Sequence, residues 1–152
     1  MNSYLQGAEA DVGFLRAEPT PTWDAFLADF DRYAAEVESR ANLAGVPFVA
    51  VLLPNRVQAA MLSADKWPAG YDPYKLDNEL HAIILSHGGI YLSVLQGLHT
   101  IPNVEQDYLP VDGHPVATAH AIFAGLIVKE LTSGVIPQLR AVGLHAVSAN
   151  GR

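Results

Sequence analysis

Apolar side chains recur at three- and four-residue steps through Trp23, Phe26, Leu27, Phe30, Ala34, Val37 and Ala41, which is the spacing of one helix face. Thr22 suits the N-cap, and Asp24 falls in the first turn, where the helix dipole favours an acid. The helix is predicted to stop near Ala44, because Gly45 can take a left-handed conformation and Pro47 cannot continue the helix. Its acids Asp29, Asp31, Glu36 and Glu38 read as a solvated face. The following stretch, Phe48 to Leu53, is β-branched and aromatic without polar alternation, as expected of a buried parallel strand. A second round repeats the order. Asp72 serves as cap and Pro73 as first helical residue; Leu76, Leu80, Ile83, Ile84 and His87 share a face; Gly88-Gly89 ends the helix; and Ile90 to Leu95 is the next strand. Strand, crossover helix and strand make a βαβ unit with parallel strands.

Between these rounds, residues 54–71 form a long connection, with a short helix expected around Val57 to Leu62. Connections of that length are more often functional than passive. A third helix is predicted from about Pro115 to Leu131, with Gly134 beyond its end. Residues 1–21 show no period and are closed off by Pro19 and Pro21, so a loosely packed lead-in is expected there. Residues 135–152 carry Pro137 and two glycines and are ambiguous. The expectation is one α/β domain over residues 22–134.

Charge narrows the function. Nine Lys and Arg face 16 Asp and Glu, a net charge of −7, and no basic run exists to track a phosphate backbone; nucleic acid is excluded as a partner. Cysteine is absent, which removes disulfides, thiolate metal sites and Cys nucleophiles. No apolar run approaches the roughly 20 residues of a membrane span. The opening Met1-Asn2-Ser3 has neither a basic start nor an apolar core, so no secretory signal is read and the compartment stays open. From His81 to Val104, and again from Gly113 to Val128, not one charged residue occurs. Such segments fit elements covered on both faces, by this chain, by a second copy in a homo-oligomer, or by a missing N-terminal portion.

The most specific chemical signal is Tyr108-Leu109-Pro110-Val111-Asp112-Gly113-His114-Pro115, just before the third helix. In a catalytic reading, Asp112 accepts the Nδ1 proton of His114 and leaves Nε2 free to deprotonate a serine. In a structural reading, Asp112 and Gly113 are ordinary turn residues and the imidazole bonds to backbone. Spacing alone leaves both open. Asn55 and Arg56 follow the first strand, on the side where α/β sheets gather ligands, and are candidate substrate-binding residues; a solvated loop is the alternative for them. His114 and His120 with Asp112 are the wrong spacing for a metal site, and no phosphate cradle is present, so neither metal nor cofactor is expected. His87 reads as a satisfied structural histidine, and Trp67, Tyr71 and Tyr74 as packing or cleft residues.

Taken together, Val46-Pro47-Phe48-Val49-Ala50-Val51-Leu52-Leu53-Pro54, then Gly89-Ile90-Tyr91-Leu92-Ser93-Val94-Leu95, then Asp112-Gly113-His114-Pro115 and His120, resemble the C-terminal part of the SGNH hydrolases, the GDSL esterases. The resemblance covers roughly residues 23–133. It implies a partial flavodoxin-like three-layer α/β/α fold with parallel strands. It also implies ester hydrolysis or acyl transfer on a small-molecule or carbohydrate ester, with His114 as base and Asp112 as its orienting acid. The Asp-x-His spacing resembles the acetylesterase and O-acetyltransferase branch. The family's Gly-Asp-Ser nucleophile block is absent: none of Ser3, Ser39, Ser63, Ser86, Ser93, Ser133 and Ser148 stands in a glycine-flanked turn after an apolar strand. The nucleophile is therefore expected upstream of residue 1 or from another chain. The alternative is a non-catalytic α/β scaffold that works by association, most simply as a homodimer.

Overall fold

The computed structural model of the protein describes residues 12–64, 66–134 and 136. Along them run a 3₁₀ turn (Gly13–Leu15), α1 (Pro21–Ala44), β1 (Val49–Val51), α2 (Arg56–Ala64), α3 (Lys75–Ser86), β2 (Ile90–Leu92), α4 (Leu95–His99), a second 3₁₀ turn (Val104–Asp107) and α5 (Ala117–Thr132). The strands pair in parallel, with Val49, Ala50 and Val51 opposite Ile90, Tyr91 and Leu92. The architecture is thus mixed α/β, and the connection between the strands holds two helices, α2 and α3. Residues before 12 and the tail expected over 135–152 lie outside the described set, apart from Ile136, which is buried.

The N-cap of α1 lies two residues before the expected Thr22. Thr20 is the N-cap, its hydroxyl accepting from Trp23 N at 3.4 Å, and Pro21 occupies the first helical position. Proline fits there because its fixed φ is helical and its missing N–H would have had no partner. At the other end Gly45 adopts φ 68°, and the N–H groups of Gly45 and Val46 close onto Asn42 and Ala41 carbonyls. Asp72 does cap, but it caps a turn: its Oδ1 accepts from Tyr74 N at 2.8 Å, and α3 begins only at Lys75.

Both strands are shorter than predicted. Beyond Val51 the chain runs through Leu52 and Leu53 to Pro54, which has no N–H to continue a ladder. With no partner left, the segment after Leu92 turns helical at Val94 and becomes α4.

Three buried clusters hold these elements. Ala59 and Leu62 of α2, Leu95 and Leu98 of α4, Val104, Tyr108, and Ala119 and Phe123 of α5 form the largest. Ala34 of α1, Ile84 of α3 and Tyr91 of β2 form a second, flanked by Phe30, Phe48 and Leu80. Val12 and Leu15 pack on Met61 in the third. The described end of the lead-in therefore contributes to the core through Val12 and Leu15: Leu15 and Met61 are fully buried, a gain of roughly 1.5–3 kcal/mol each. Trp67 meets Tyr74 edge-on at 6.2 Å, and Tyr71 packs on the third cluster, so these aromatics serve packing. Among the described residues, no helix is long and apolar enough to cross a membrane.

Candidate functional site

Asp112 and His114 sit on a hairpin between the second 3₁₀ turn and α5. Its base is an antiparallel bridge of Tyr108 with Pro115, and Leu109 N donates to His114 O at 2.8 Å. Gly113 N closes the tip onto Leu109 O at 3.0 Å with φ 71°, a conformation that favours glycine. Two tethers fix the hairpin to the carboxyl end of β1. The buried Tyr108 hydroxyl donates to Pro54 O at 2.8 Å, and the Arg56 guanidinium donates to Pro110 O at 2.9 Å. Burial raises the Tyr108 phenol well above its ordinary range, with Asp107 adding to the effect, so it stays a neutral donor.

On this support Asp112 Oδ1 accepts from the His114 backbone N–H at 3.0 Å and lies 3.4 Å from its Nδ1. The backbone N–H is the main reason the Asp112 carboxyl is held below its usual range, with the imidazole as a further cause. The carboxylate thus caps its own turn while it faces the ring. The Nδ1 separation is slightly beyond hydrogen-bond range. The pair is open to solvent, with side-chain exposure of 77% for His114 and 53% for Asp112. A ring so placed can take a proton at Nε2 while Nδ1 points at the acid.

The structure brings Asn55 and Arg56 to the same end of β1, in different roles. Asn55 Oδ1 accepts from Gln58 N at 2.9 Å and so caps α2. Arg56 holds the hairpin through Pro110 and packs beneath Gly113, where an added Cβ would lie 3.8 Å from Arg56 Cβ. His120 is on α5, edge-on to Phe123 at 6.5 Å. His87 is satisfied by Asp31, Nε2 to Oδ1 2.6 Å, tying the end of α3 to α1. Among the described residues, no serine hydroxyl hydrogen-bonds to His114, and no three of His, Asp or Glu gather to hold a metal ion.

Two buried carboxylates escaped the sequence reading. Asp77 of α3 is only 4% exposed and accepts from the Tyr91 hydroxyl at 2.6 Å and the Ser93 hydroxyl at 3.1 Å. His81, one turn along, stacks on the Tyr91 ring at 5.1 Å and 20°. Burial, with Asp77 beside it, pushes the Tyr91 phenol far above its ordinary range. Glu38, assigned to the solvated face of α1, is 6% exposed instead. Helical spacing held the signal for both: Asp77 is seven residues before Ile84, and Glu38 four after Ala34, each on the buried stripe.

Comparison with protein-family models, with curated proteins and with solved structures finds no match for this chain.

Proposed function

We propose that this chain carries the acid–base half of an SGNH-type ester hydrolase or acyl-transfer site, on a flavodoxin-like three-layer scaffold, with the serine supplied by a segment outside these residues. The observation that supports this most is the position of the Asp112–His114 pair: tethered through Tyr108 and Arg56 to the carboxyl end of a parallel strand, with the imidazole open to an incoming hydroxyl. In the proposed mechanism His114 Nε2 takes the serine proton as Oγ attacks the ester carbonyl carbon. The imidazolium, held by Asp112, then returns that proton to the leaving alcohol. Water, or a sugar hydroxyl in a transferase, then attacks the acyl carbon as the same nitrogen takes its proton; the acyl–serine bond breaks, and that proton passes to the serine oxygen.

Two measurements test the reading. Ring ¹⁵N spectra of the neutral imidazole should show the Nδ1–H tautomer of His114 in the chain itself and its loss in Asp112→Asn. With an activated acetyl ester, the serine-complemented protein should lose about 10³-fold or more in rate on His114→Ala. An Nε2–H tautomer, or turnover that His114→Ala leaves untouched, removes the assignment.

A second reading, a non-catalytic scaffold that associates with its own copy, is favoured by one feature. Val51 and Leu53, at the end of a strand type normally covered on both faces, are 36% and 43% exposed. Sedimentation at micromolar concentration tests it, and a clean monomer would refute association.

A further inference from the structure

At the opposite end of the strands, where Phe48 leads into β1 and Ile90 opens β2, lies a cavity of about 250 Å³ walled by Glu38, Asn42, Val46, Pro47, Phe48 and Gly88. Glu38 reaches it from α1, with Oε1 3.8 Å from the place a Cβ on Gly88 would occupy. Its Oε2 is buried and has no hydrogen-bond partner. A carboxylate in that state is costly unless a cation or donor meets it. The surroundings deepen the negative potential, because α1 ends at Ala44 and α3 at Ser86, on either side of the cavity. Helix carboxyl ends each carry about half a negative charge. The nearby basic side chains are engaged elsewhere: Arg40 pairs with Glu36, and the His87 ring, on the adjoining surface, meets Asp31.

We propose that this cavity is a binding site for a small organic cation with N–H donors, a guanidinium or a primary ammonium, whose N–H groups bond the Glu38 carboxylate. A metal ion fits less well, because Glu38 is the one carboxylate in the cavity lining and no cluster of three ligating side chains forms among the described residues. The site is remote from Asp112 and His114 in the fold and does not rest on the hydrolase reading.

The test is a ¹⁵N–¹H titration of the chain with methylguanidinium chloride against potassium chloride at equal ionic strength. Saturable shifts should appear at the amides of Val46, Phe48, Gly88 and Ile90 with methylguanidinium alone. Glu38→Gln should weaken binding at least tenfold. Val46→Trp, which adds bulk at a half-exposed wall residue, should do the same without touching the carboxylate, and decides the matter should Glu38→Gln fail to fold. Equal binding of N-acetylarginine amide would identify a polypeptide side chain as a competent source of the cation, and its exclusion would restrict the site to free small cations. Shifts reproduced by potassium chloride, or an affinity unchanged in either variant, overturn the proposal.

Discussion

Replacing Tyr91 by Phe isolates one hydroxyl. The ring, its burial and its stack on His81 stay, while the 2.6 Å donation to Asp77 is lost. Asp77 then keeps only the longer bond from Ser93, at 3.1 Å. Hydrogen bonds to charged groups contribute about 1.5–3 kcal/mol, and the short, buried geometry places this one at about 2 kcal/mol. For a chain of this size the loss corresponds to a fall in Tm of roughly 4–8 °C. Urea unfolding followed by circular dichroism should show a lower midpoint at unchanged m, the mark of lost stability rather than altered compactness. The same substitution in an Asp77→Asn background should cost about half as much, because the acceptor is no longer charged. A change below about 0.5 kcal/mol in the Asp77 background would mean that the carboxylate is satisfied without Tyr91, and would refute the buried-network argument.

Alkaline titration probes the same physics. Tyr91 and Tyr108 have folded-state pKa values raised above the unfolded value, so their contribution is fully present below about pH 10 and is lost as pH rises beyond it. Stability should fall above that pH by up to about 1.4 kcal/mol per pH unit for each phenol, and Tyr91→Phe should remove about half of the slope in urea titrations at pH 9 to 11. Asn55→Ala should cost about 1 kcal/mol through loss of the α2 cap, read by thermal unfolding. If Asn55 instead acts on substrate, the serine-complemented enzyme carrying this change would show a raised KM at unchanged Tm.

The parallel strands and the three long helices could be read from the chain because their signals are local: runs of apolar residues, three- and four-residue periods, and glycine or proline at the ends. Strand length could not, since it depends on where a partner stops and on Pro54. The cap of α1 was misplaced by two residues because Pro21 reads equally well as the close of a loop and the start of a helix. Residues 12–15 read as part of a loosely packed lead-in, because a few buried side chains establish no period. At the candidate site, the adjacency of Asp112 to His114 was visible in spacing, but its anchorage was not. The Tyr108 and Arg56 tethers each span 54 residues, a separation that no local pattern encodes. Asp77 and Glu38 were hidden by an assumption that acids on an amphipathic helix face water.

A sheet of three paired positions carries little alignment information of its own. Because strand side chains alternate faces, a shift by one residue would turn Tyr91 away from Asp77 and exchange it for Leu92 or Ile90. The Tyr91–Asp77 contact thus works as an indexing pin. It favours a single phase for two very short strands, and a one-residue slip would deprive a buried acid of its shortest hydrogen bond.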